Sequence, residues 1–116
     1  MARTTWRDRE VRALLEECAR RGIDDTTAAA AIFSKGHHPN WQNRTGTAEG
    51  SIRGQPARRE RGGIVGRFGS FDVDYFIWLE IGANGHPGDN TLRRGADAEF
   101  PKAPQRIAAW WRRLAR

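Results

Sequence analysis

The chain is poor in cysteine: Cys18 stands alone among 116 residues, so no internal disulfide can staple the fold. It also lacks any stretch near the roughly 18 consecutive apolar residues that crossing a bilayer requires. The N-terminal residues carry no apolar core of a secretory signal. These absences predict a soluble protein made in a reducing compartment. Apolar residues are scarce as well, at 38%, with a mean hydropathy of -0.76. A monomer of this composition has a thin core, which five Trp and five Phe partly offset because each aromatic buries a large area. The length fits one domain.

Signatures of chemistry are missing too. His37, His38, His86 and Cys18 are the soft ligand types, and none falls in C-x-x-C or H-E-x-x-H spacing. The glycines of "RGGIVGRFGS" lack the G-K-[ST] ending that supplies a phosphate-binding Lys and a Mg²⁺-binding hydroxyl, so they read as strand bends and turns. Asp72, Asp74 and Glu80 border an apolar run without a nucleophile or metal set beside them. Salt bridges to Arg67, Arg93 or Arg94 are the expectation for these acids. Asn43-Arg44-Thr45 matches a glycosylation acceptor but has no route to a secretory compartment. The reading is of a non-enzyme without cofactor or metal.

What the chain has is positive charge. The net charge is +6 and the pI about 10.9. Eight basic and seven acidic residues lie in Met1 to Ile52, against twelve and seven from Arg53 onward. Such a surface suits phosphates or acidic proteins. With no helix-turn-helix, zinc-finger or sheet-aromatic signature, sequence-specific nucleic-acid recognition is not expected.

Periodicity organises the chain as α+β, a small antiparallel sheet packed against N- and C-terminal helices. Val11, Leu14, Leu15 and Cys18 recur at helical spacing within Thr5 to Arg21. Gly22 is expected to interrupt, with Asp24 or Asp25 capping a second helix from Thr26 to Ser34. Residues 1–36 are thus helices and 37–50 a loop pinned by Trp41. In the sheet region, 51–82, "SIRG", "GGIVGRF" and "GSFDV" read as strands, two of them joined by the basic connection "QPARRERGG" as a long hairpin loop expected to be poorly ordered. "VDYFIWLEIG" fits either a buried strand or a short buried helix; a strand ending near Val73 followed by two helical turns is the preferred reading. A loop at 83–90 leads to C-terminal helices at 91–116. There Pro101 and Pro104 suit a first turn, and Ile107, Trp110, Trp111 and Leu114 form an apolar stripe.

The blocks "HPNWQNRTGTAEGSI", "VDYFIWLEIG" and "TLRRGADAEF", in that order, resemble the small tail-completion or head-to-tail joining proteins of long-tailed bacteriophages. Pro39, Thr45, Gly46, Ser51 and Ile52 match the first block of that pattern, with Trp41 inside it. Tyr75, Glu80 and Gly82, with Trp78 between, match the second, and Leu92, Arg93 and Ala96 the third. Phe76 stands where a small residue is usual, and Gly95 where a stronger helix former is expected.

The resemblance implies a structural virion protein, assembled in the host cytoplasm as a cyclic ring in the neck. A hexamer is favoured, with a dodecamer as the alternative. Its neighbours would be head-completion and tail-terminator or tail-tube proteins, with genomic DNA passing the channel unbound and no membrane involved. Arg53, Arg58, Arg59, Arg61, Trp110 and Trp111 are the expected interface residues. The runner-up is a non-specific DNA-associated accessory protein, and a small cytoplasmic enzyme is the third reading.

Overall fold

The computed structural model describes residues 6–38, 46–71, 76, 80, 82–83 and 86–115. The elements are α1 (Trp6–Gly36), α2 (Thr47–Gly50), β1 (Ile52–Glu60), β2 (Gly63–Ser70), β3 (Gly82–Ala83), β4 (His86–Pro87), α3 (Thr91–Glu99), a 3-10 turn (Phe100–Lys102) and α4 (Ala103–Leu114). The fold is mixed α+β, with β1 antiparallel to β2 and β3 antiparallel to β4. No described helix is long and apolar enough to cross a membrane.

The two expected N-terminal helices are one. α1 runs unbroken for 31 residues, about 46 Å, through Gly22. Glycine costs a helix interior roughly 1 kcal/mol relative to alanine, but here it is needed for contact. A Cβ at Gly22 would lie 2.5 Å from Ile107 Cγ1 and 2.8 Å from Ile107 Cα, so the absent side chain lets α4 settle against α1. The same holds in α3, where a Cβ at Gly95 would meet Ser34 Oγ at 2.2 Å and the Ala30 carbonyl at 2.6 Å. The weak helix former at Gly95 therefore marks a helix crossing and leaves α3 intact through Glu99.

α1 is an axle flanked on two sides. α3, the 3-10 turn and α4 run antiparallel along it: Ser34 Oγ donates to the Thr91 carbonyl at 2.9 Å, Arg106 reaches Thr26, and Ile107 covers Gly22. β1 also runs antiparallel to α1, with Ile52 near Ala31, Ala57 held by Asp24, and Arg59 paired with Glu16. The radius of gyration, 17.9 Å, exceeds the roughly 13 Å of a compact chain this long because α1 outruns its cover.

The basic segment expected as a long loop is strand. Ile52 pairs with Ser70 and Glu60 with Gly63, leaving a two-residue turn, Arg61-Gly62. Both turn residues have positive φ, 51° and 82°, as the primed hairpin turns demand. Pro56 is tolerated because the register jumps between Gln55 and Arg58 in a bulge, where no ladder hydrogen bond is forfeited. α1 side chains satisfy the bulged Ala57: its amide donates to Asp24 Oδ1 at 2.6 Å and its carbonyl accepts from Arg20 at 2.9 Å. Of "VDYFIWLEIG", Phe76 and Glu80 are described and helical, and Gly82 opens β3; the rest of that run lies outside the described residues.

The core is small and sits by the C-terminal half of α1. Ala31, Ala48, Ile52 and Phe76 are buried together, with Phe68 and Leu92 packed against them. Bulky Phe76 is thus a core residue.

Candidate assembly surface

Two of the three motif blocks meet at one carboxylate. Glu80 Oε1 accepts from the Leu92 amide at 2.8 Å and Oε2 from the Arg93 amide at 3.2 Å, while the Glu80 carbonyl accepts from the Asn90 amide at 3.0 Å. These are free N–H groups of the first turn of α3, and a carboxylate there also complements the helix dipole. Asn90, at φ 54°, makes no side-chain cap of its own. Glu80 therefore binds backbone instead of the expected Arg93 or Arg94 side chain. Arg93 pairs instead with Asp97, and Arg67 makes a twofold hydrogen bond with Glu60.

The first block turns the chain into the hairpin. Gly46, at φ 80°, precedes α2, a helical turn inside the segment expected to be irregular. Ser51 Oγ donates to the Ala48 carbonyl at 2.6 Å, so its 2.6 Å contact with Ser70 has Ser70 as the donor. Ile52 follows, fully buried. Gly82 pairs with Pro87. Pro39, Trp41, Thr45, Tyr75 and Trp78 lie outside the described residues, as do Asp72 and Asp74.

The expected interface residues divide. Trp110 is tied to α1 at the surface: its Nε1–H donates to Asp25 at 2.7 Å, and the guanidiniums of Arg21 and Arg113 stack on its ring at 4.8 and 4.5 Å. Trp111 is 36% exposed. The expected apolar stripe of α4 is thus half-buried, with no fully buried member. Arg53 lies over the Phe71 ring at 4.8 Å. Arg58, Arg59 and Arg61 are exposed; Arg59 pairs with Glu16, and Arg58 approaches Glu60 at 3.6 Å.

A polar network joining α1 to α3 and α4 was not legible beforehand. Arg106 donates to Glu99 Oε1 at 2.5 Å and to the Glu99 carbonyl at 3.2 Å, and Lys102 reaches Glu99 Oε2 at 3.3 Å. The Arg106 hydrogen bond holds the Glu99 carboxyl below the usual range against the opposing effect of burial, and Lys102 adds to it. Likewise the hydrogen bond from Arg67 lowers Glu60. Asp89 and Thr91 are buried and bonded to each other at 2.5 Å. The seven-residue interval from Glu99 to Arg106, two helical turns, was the one available signal, and the intervening prolines masked it.

A surface groove of about 370 Å³ opens between α1 and β2, lined by Ile23, Thr26, Ile64, Val65, Phe100 and Ala103, among others. Its two threonine hydroxyls, on Thr26 and Thr27, donate to the Gly22 and Asp24 carbonyls of their own helix, so neither is poised as a nucleophile. Among the described residues no group of three His, Cys, Asp or Glu could hold a metal. Searches against protein-family profiles, curated proteins and solved structures find no match to this chain.

Proposed function

We propose that the chain is a structural virion protein of a tailed bacteriophage, a ring subunit in the neck or tail top that completes the tail and joins it to the head. The observation that carries this reading is the Glu80 junction. The Tyr-x-x-x-x-Glu-x-Gly block and the Leu-Arg block are separated in sequence, yet the Glu of one caps the helix opened by the other. Blocks that lock together have a structural reason to occur in one order and spacing.

The rest of the molecule agrees with a subunit stabilised by neighbours. The core is thin, the shape is extended, and Val11, Leu15, Phe100 and Trp111 present apolar surface to solvent. In this reading copies form a cyclic ring, a hexamer first and a dodecamer second, between head-completion and tail-terminator or tail-tube proteins. DNA passes the channel without specific contact, and the subunit is not an enzyme.

The test is genetic and visual. A phage with this reading frame disrupted should accumulate filled heads and separate tails, and purified virions should hold a few copies of the subunit. Joined, infectious particles lacking the protein would refute the assignment.

A further inference from the structure

Three segments distant in sequence end at one pole of the molecule. Arg59 beside Glu16 fixes the register of the hairpin on α1. Its tip, two residues on, reaches about 7 Å further, level with the second turn of α1 near Val11 and Arg12. α4, held at Gly22 by Ile107, ends at Leu114, about 10 Å along and level with Leu15. Beyond these two ends the first turn of α1 extends past the other described elements, and residues 7–13 are all exposed.

Charge and apolar surface coincide there. α1 brings Arg7, Arg9 and Arg12; the hairpin brings Arg58, Arg59 and Arg61; the last turn of α4 brings Arg112. The nearby acids are Asp8, Glu10, Glu16, Glu17 and Glu60; Glu16 pairs with Arg59, Glu17 with Arg21 and Glu60 with Arg67, and Asp8 is engaged as well. Within this basic rim Val11 is 43% and Leu15 50% exposed, continuing the stripe that Cys18 and Gly22 bury further along.

We infer that this pole is a docking surface for a partner protein whose matching face is acidic around an apolar centre. The arginine excess supplies the complementarity. A second copy offering the same pole would set arginines against arginines, which opposes self-pairing through it. Duplex DNA would satisfy the arginines but leave Val11 and Leu15 in water, whereas arginine rimming exposed aliphatic side chains is the composition of protein interfaces. The inference stands apart from the virion reading, since it concerns only the chemistry of the partner face.

The experiment measures fluorescence polarisation of three labelled probes against the full chain. The first is a helical peptide with glutamates flanking a leucine stripe, the second has the same composition with the leucines scattered, and the third is a short DNA duplex. The striped peptide should bind about tenfold tighter than the scattered one. Leu15→Ser should erase that difference, and Ile32→Ser, at a 71% exposed site on the far half of α1, should preserve it. Amides of residues 7–13 should gain hydrogen-exchange protection with the striped peptide. Equal binding of the two peptides, or none, overturns the inference. So does tight duplex binding indifferent to Leu15→Ser, or self-association that Leu15→Ser abolishes.

Discussion

The two halves of α1 are built from similar helix but live in different surroundings. Around Ala30 to Ser34 the helix is closed in: Gly95 abuts the Ala30 carbonyl, Ser34 donates to Thr91, and Ile52 fills the core beside Ala31. From Arg7 to Leu15 the same helix carries apolar residues at the same spacing, yet Val11 and Leu15 face solvent. Amphipathic spacing predicts a face that wants cover, and among the described residues that cover is supplied at one end only. A solvent-facing turn held mainly by continuity with packed helix is marginal on its own. The contrast separates what holds this fold from what the fold offers to others.

Substitutions in the two halves test that contrast. Ile52→Ala, in the packed half, should cost about 2–5 kcal/mol of stability in chemical denaturation. Leu15→Ala should stay within about 1 kcal/mol, because half its surface is already wet. Equal losses would erase the distinction. Gly95→Ala and Gly22→Ala come next: each should lose about 1–3 kcal/mol by overpacking, although alanine favours helix by roughly 1 kcal/mol. A rise in melting temperature for either would mean that the helices do not approach as closely as described.

Glu80→Ala should lose about 1 kcal/mol through the uncapped start of α3, and faster amide exchange at Leu92 and Arg93 would locate the effect. The Glu99 network sharpens the comparison through pH. The folded-state pKa of Glu99 is depressed, so its contribution is complete above the ordinary glutamate range and is lost as pH falls through the depressed value. Arg106→Met should therefore flatten the acid limb of the stability profile, with little change in its slope above neutrality. The smallest effect is expected at the exposed pole. Arg61→Gly should raise stability by about 1 kcal/mol or less, since it relieves a non-glycine residue at φ 51°. The same change should weaken binding of the acidic peptide.

The sequence was legible where local rules decide. The spacing of Val11, Leu14, Leu15 and Cys18 predicted the first half of α1, and the prolines at 101 and 104 fell in the region, 91–116, where C-terminal helices were expected. It misled where a residue answers to a distant partner. Gly22 resembled a helix stop because nothing nearby names Ile107. "QPARRE" resembled a loop because its charges and Pro56 mask a strand whose bulge is satisfied by Arg20 and Asp24. At the candidate surface, the arginines and Trp111 were expected as interface residues, whereas the spacing of Val11 and Leu15 indicated a helix face but not that it stays exposed, because periodicity cannot tell what covers a face.

By itself the sequence determined the class of fold, the amphipathic period, the order of the motif blocks and the excess of positive charge, because each follows from residue type and short-range spacing. Only the tertiary structure decided that Glu80 caps α3, that Gly22 and Gly95 are contacts, and that arginines from α1, the hairpin and α4 share one pole. Those outcomes depend on which segments lie side by side along a 31-residue helix, and packing between distant segments leaves no periodic trace in either one.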